Sequence, residues 1–199
     1  MIARHKLPFF ALLLLLIGLA GCKVDSINPI SSLDNARPDT ALYGVWRYKA
    51  KGELTYVHFG PEFSLRMGDA AAAAKKRTRI ILIDHKPNGI TDEAYVAHVS
   101  RLGKQRYLNV LQVDEGKPVG FVFVQYTLID HDTLRFSTIN EDALKAAINA
   151  GQIKGTIRGP RLASETAITA ESGEIENFLK HAGGILFGKP IVLQRVQDR

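Results

Sequence analysis

The sequence predicts a mainly β, α+β domain: a curved antiparallel sheet, open or closed as a barrel, with two helices packed on it. Three observations lead there. From Tyr43 to Ile139 most segments alternate or run apolar over strand lengths and are broken by turn residues. The connections between these segments are too short for the crossovers that parallel strands need. The longest strand, Val119 to Ile129, is apolar on both faces, with Val122, Val124, Tyr126 and Leu128 on one and Phe121 and Phe123 on the other. Such a strand needs cover on both sides, and the helices are the natural second cover.

The elements follow in chain order. Lys23 to Thr40 holds Asn28-Pro29, Ser31-Ser32, Asn35 and Pro38 with few apolar residues, and reads as a flexible tether. At full stretch such a segment reaches about 50 Å. The folded domain is expected from Ala41 to the end of the chain as a single unit. Tyr43 to Lys49 and Leu54 to Phe59 form a first hairpin around Lys51-Gly52. Arg79 to Ile83 is a short strand that ends at the turn cluster Asp84-His85-Lys86-Pro87-Asn88-Gly89. Glu93 to Arg101 and Gln105 to Val113 flank the turn Leu102-Gly103-Lys104. Asp114 to Pro118 turns the chain into the long strand, and Asp130-His131-Asp132 turns it again into Thr133 to Ile139.

Two helices interrupt the strands. Asn140 caps the first, with Glu141 and Asp142 in its opening turn, an apolar stripe of Leu144, Ala147 and Ile148, and Gly151 as its stop. Ser172 is the expected cap of the second, which puts Ile175, Phe178, Leu179 and Ala182 on one face and pairs Glu176 with Lys180 on the other. Gly183-Gly184 end it. Ile153 to Ile157 and Thr166 to Thr169 read as short strands, and Ile191 to Val196 as a closing strand.

Ahead of the domain, Arg4, His5 and Lys6 precede an uncharged run from Leu7 to Ala20. That run is shorter than the roughly 20 residues of a transmembrane helix. A positive start, a short apolar run and small residues at its end read as a secretory signal. The run closes on Leu19-Ala20-Gly21-Cys22, and Cys22 is the only cysteine of the chain. This resembles the lipobox of bacterial lipoproteins. The resemblance implies removal of residues 1–21, a diacylglyceryl group on the Cys22 sulfur and acylation (palmitate among the expected acids) of its new amine. One acyl chain binds a membrane only marginally, whereas two or three hold it durably. Lys23 stands where aspartate would favour the inner membrane of enteric bacteria, so the resemblance points to the outer membrane and a periplasm-facing domain.

The composition sets further bounds. The chain carries 26 Lys+Arg against 20 Asp+Glu. Loss of residues 1–21 removes Arg4 and Lys6, leaving 24 against 20 and a formal charge of +4. This mild excess suits a surface near anionic lipid but is not that of a nucleic-acid-binding protein. With Cys22 acylated, no thiol is left for a disulfide, a cysteine-based metal site or nucleophilic catalysis.

Gly44-Val45-Trp46 opens the first strand of the domain. It is similar to the Gly-x-Trp motif at the start of the lipocalin barrel, where the tryptophan plugs the closed end. That resemblance implies a lipocalin-like barrel, a barrel-end structural role for Gly44 and Trp46, and an arginine laid over the tryptophan. Arg195, on the last strand, is the candidate. The order of many antiparallel strands, a helix and a final strand agrees with the motif. Trp46 can equally be a core aromatic of an unrelated β fold. The mature chain as a whole also looks like small envelope lipoproteins, a likeness prompted by Arg106 to Val110 and the aromatic strand that follows.

Other segments carry less chemistry. Ala70 to Ala74 followed by Lys75-Lys76-Arg77 and Arg79 is a basic loop or a single helical turn, and near an anchor it could touch anionic headgroups. Asp84-His85 and Asp130-His131-Asp132 sit in turns and lack the His-x-x-x-His or Glu-x-x-His spacing of a metal site. His98 and Ser100 share a strand face without an evident acid partner. No Gly-x-Ser-x-Gly elbow, phosphate-binding loop or dinucleotide fingerprint is present. The expectation is therefore a lipid-anchored, non-enzymatic envelope protein with no cofactor and no metal, which binds a small apolar ligand or lipid. In the carrier reading the cavity is lined from Trp46 and Phe121 or Phe123. The alternative is an accessory protein that docks on an envelope complex, and the third is a hydrolase whose triad assembles from distant residues.

Overall fold

The computed structural model describes residues 24–50, 53–63, 68–159 and 165–197. Cys22 and the expected signal segment, residues 1–21, lie outside these residues. Among the described residues, eight antiparallel strands close into a lipocalin-like barrel: β2 (Gly44–Ala50), β3 (Glu53–Pro61), β4 (Thr78–Lys86), β5 (Gly89–Leu102), β6 (Gln105–Asp114), β7 (Lys117–Leu128), β8 (Thr133–Thr138) and β11 (Ile191–Arg195). Each pairs with its neighbour in that order, and β11 closes the ring by pairing with both β8 and β2. The expected choice between an open sheet and a barrel thus resolves to the barrel.

Strand alternation sets two cores. Trp46, Val57, Phe59, Ile80, Leu82, Ala97, Val99, Leu108, Val110, Val124, Tyr126, Leu134, Phe136 and Leu193 point inward and pack together. The opposite face of β5, β6 and β7 gives Leu102, Tyr107 and Phe123 to a second core outside the barrel. That core is completed by α2 (Glu141–Asn149), through Leu144 and Ala147, and by α3 (Ser172–Ala182), through Ile175 and Leu179. The two-faced long strand therefore has the two covers it requires. A three-stranded ribbon flanks the barrel: β1 (Val24–Ser26) runs parallel to β10 (Glu165–Ile168), which pairs with β9 (Gly155–Arg158). β1 joins the barrel through the pair Ser26 and Phe121. Gly120 permits this, because a Cβ there would stand 2.6 Å from the Ser26 carbonyl oxygen.

Three local expectations change. Residues 24–43 are not a free tether. They begin in β1, run over the outer face of β5 and β6 and reach the barrel end, with Ile30 and Leu42 fully buried. Their polar composition resembles a linker, yet three spaced apolar side chains (Ile30, Ala36 and Leu42) fasten them and their polar groups find partners. The domain therefore reaches back at least to Val24. β4 continues through Asp84, His85 and Lys86, so the hairpin bends only at Pro87-Asn88. Asp84 keeps the inward alternation of Ile80 and Leu82 because Thr55 donates to its Oδ1 at 2.5 Å. The cap of α3 is Glu171 rather than Ser172: Glu171 and Glu174 bond each other's backbone N–H groups, while Ser172 Oγ donates to Pro29 O at 2.7 Å. Asn140 caps α2 as expected, accepting from Ala143 N at 2.9 Å.

The alanine run forms a short helix, α1 (Asp69–Ala74). Two of the three cations after it meet carboxylates: Lys76 lies 3.4 Å from Asp34 and Arg77 3.6 Å from Glu62. No described helix is long and apolar enough to cross a membrane.

Candidate functional site

The barrel has two unlike ends. At one end Trp46 is fully buried and its Nε1 donates to Leu42 O at 2.8 Å. Arg195 stands beside it in the β11–β2 register, its guanidinium carbon 4.0 Å from the ring centroid. That arginine donates to Ala41, Tyr43 and His131 carbonyl oxygens at 2.7–2.8 Å, tying the chain before β2 to the loop after β7. A guanidinium over an indole adds a cation–π attraction to these bonds. Gly44 explains the first letter of the motif: its φ is +123°, and a Cβ there would meet Arg195 Nη1 at 2.8 Å. Below this plug, Asp39 accepts from Arg106 at 2.9 Å and from the Tyr126 hydroxyl at 2.8 Å. Burial and the Asp39 carboxylate push the Tyr126 phenol far up, so it stays a donor.

The other end is reached through the Lys86–Gly89 and Asp114–Lys117 hairpins. Between the ends lies a half-open apolar space, lined chiefly by Val57, Leu82, Tyr95, Leu108, Val110 and Phe136. It encloses only about 30 Å³, far below the roughly 300–1,000 Å³ of ligand pockets, so side chains fill most of it. That is room for about two waters. A barrel of eight strands is just wide enough to be filled by side chains or to hold one small ligand. The expected lining is corrected here. Trp46 belongs to the plug rather than the space, and Phe121 and Phe123 point outward, where alternation along β7 leaves Val122 and Val124 inside.

Polar groups continue the inner face toward the open end. Thr55 and Asp84 are hydrogen-bonded, and the Tyr95 hydroxyl donates to Glu93. Burial, then the Glu93 carboxylate, hold the Tyr95 phenol far above its ordinary value. Gln112 follows Leu108 and Val110 inward on β6, and its Nε2 has no hydrogen-bond partner. Sequence reasoning passed over these groups. Gln112 lay within the expected strand Gln105 to Val113, where alternation with Leu108 and Val110 turns it inward, whereas Asp84 was assigned to a turn and is inward only because β4 runs on to Lys86. Replacing Gln112 by leucine removes an unsatisfied buried donor, so Gln112→Leu is expected to raise the unfolding free energy by about 1–3 kcal/mol. Urea denaturation checks this.

A second cavity, about 90 Å³, lies outside the barrel wall beneath residues 29–33, against His98, Asn109, Phe121 and Arg77. His98 Nε2 lies 2.9 Å from Ser31 O, and Ser100 Oγ bonds both Ser31 Oγ and Asn109 Nδ2. Ser100 and His98 thus serve the N-terminal segment rather than forming a nucleophile and base. Burial, opposed by the Ser31 carbonyl and aided by Arg77, lowers the His98 pKa below its ordinary 6.5. The unfolded chain then binds more protons than the folded one as pH falls through about 6.5. Stability is full above that pH and declines below it. His98→Gln is expected to flatten this decline in urea midpoints measured from pH 7.5 to 5.

His85 and His131 stand apart from this cluster. His85 packs edge-on against Tyr56 at 5.4 Å on the outer surface, and exposed His131 bonds Asp132 at 2.9 Å. Among the described residues, no three His, Cys, Asp or Glu side chains converge as a metal site would require.

No family model, no characterised protein and no solved structure matches the chain.

Proposed function

We propose that this is a lipid-anchored envelope protein that binds a small apolar ligand inside its barrel, without catalysing a reaction. The observation that supports it is the half-open apolar space between the Trp46 plug and the opposite mouth. A plugged end and an open end give a ligand one route in. The small free volume means that side chains must move aside for even a short ligand. The anchor is Cys22, acylated after removal of residues 1–21, at the outer membrane and facing the periplasm. Since Val24 is already in β1, only Lys23 separates the anchor from the fold, at most about 7 Å of chain from Cys22 to Val24. The barrel is thus seated close to the bilayer, not held some 50 Å away.

A titration with N-phenyl-1-naphthylamine, which fluoresces in apolar surroundings, tests the binding. Saturable enhancement is expected for the wild type and its loss for Val110→Phe, which fills the space. Equal enhancement in both would place the dye elsewhere, and none in the wild type would end the carrier reading. Mass spectrometry of the mature protein against Cys22→Ala tests the anchor separately; a wild-type N-terminus without acyl mass would refute it.

A second reading, docking on an envelope protein, draws on exposed Ile90, Val113 and Val119 at the hairpins of the open end. It predicts that charged substitutions there release a partner without changing dye binding.

A further inference from the structure

We propose that the barrel selects an uncharged amphiphile, one whose head both accepts and donates hydrogen bonds (an alcohol or a primary amide), over a carboxylate of equal chain length. This rests on the ligand-binding reading above and narrows the class of ligand. Gln112 carries it. The residue is only 9% exposed, and its Nε2 has no hydrogen-bond partner. Ala97 pairs with Val110, so Tyr95 and Gln112 stand one inward step further along their adjacent strands toward the open end. Tyr95 and Val110 both line the apolar space, which places the unpaired amide at its rim. Buried polar groups are nearly always paired, and a donor left unpaired there marks a position for an acceptor.

The neighbours decide which acceptor. Thr55 pairs with Asp84 and Leu82 with Glu93, so both carboxylates share the inner face near the mouth. Each accepts from a protein donor, Thr55 for Asp84 and the Tyr95 hydroxyl for Glu93. Each oxygen has further lone pairs to offer. A hydroxyl or amide head satisfies both sides: its oxygen accepts from Gln112 Nε2 and its hydrogen goes to a carboxylate. A carboxylate head has no hydrogen to give and meets two like groups in a weakly screened setting. An ammonium head suits the carboxylates but leaves Gln112 unpaired. Lys86 continues the same face at the hairpin itself, where solvent screens it.

The test displaces N-phenyl-1-naphthylamine from the purified protein with octanol, octanamide, octanoate and octylamine at pH 7.5. Octanol and octanamide are expected to act at concentrations at least tenfold below the other two. Because octanoate also prefers water, the variants carry the decision. With displacement corrected for each variant's own dye affinity, Gln112→Leu should weaken octanol and octanamide about fivefold, and Glu93→Gln should narrow the gap between octanol and octanoate. Unchanged displacement in both variants, or octanoate or octylamine competing as well as octanol, would overturn the proposal. A wild type that does not bind the dye would overturn the ligand-binding reading and this one with it, a result distinct from binding without selectivity.

Discussion

Trp46→Ala is expected to lower the unfolding free energy by about 3–5 kcal/mol, the range for truncating a buried large aromatic. Three losses combine. The largest is the indole itself, fully buried at the foot of the inner core. The second is its bond to the Leu42 carbonyl, which would be left without that donor. The third is the ring face under Arg195, whose guanidinium would keep its three carbonyl partners but lose its platform. Trp46→Phe keeps most of the volume and should recover more than half of the loss. Equilibrium urea unfolding of both variants provides the comparison. A loss below about 1 kcal/mol for the alanine variant would show that the plug is not where the barrel end is secured.

Asn109→Leu is expected to cost about 2–5 kcal/mol, although leucine is apolar and similar in size. Asn109 is fully buried on the outer face of β6, and its Oδ1 accepts from Ile30 N at 2.7 Å. Its Nδ2 donates to Ser100 Oγ at 2.8 Å and to His98 O at 3.2 Å. Leucine would leave the Ile30 N–H buried and unpaired, and the segment running from β1 to the plug would lose its central fastening. Ser100→Ala removes one contact of the same cluster and should cost about 1 kcal/mol. Hydrogen exchange at Ile30, slow in the wild type and fast in Asn109→Leu, would separate release of this segment from global weakening.

Much of the barrel was legible in the chain because short antiparallel strands announce themselves twice, by alternation and by the turns between them. Asn140 and the stripe of Leu144 and Ala147 made α2 equally plain. Closure was legible only through the resemblance of Gly44-Val45-Trp46 to a barrel motif, not through the strand pattern. It depends on β11 reaching both β8 and β2 across two helices and a ribbon, and no local pattern encodes that distance. The N-terminal segment misled for a different reason. Its prolines, asparagines and serines match a linker, while its fixation depends on Ile30, Leu42 and a buried Asn109 some 80 positions away. The candidate site was half visible. Gly44 and Trp46 stood out as a motif, and Arg195 as a possible partner. Gln112, Asp84 and Glu93 carry no motif, and they gain meaning only when the register turns them to one inner face.

The most direct test of ligand binding in the barrel is methyl NMR of the protein with octanol added. Resonances of Val57, Leu108, Val110 and Val124, inside the barrel, should shift and saturate together. Those of Leu144 and Leu179, in the outer core, should hold still. Shifts confined to the outer core, or none at either place, would contradict a ligand site inside the barrel.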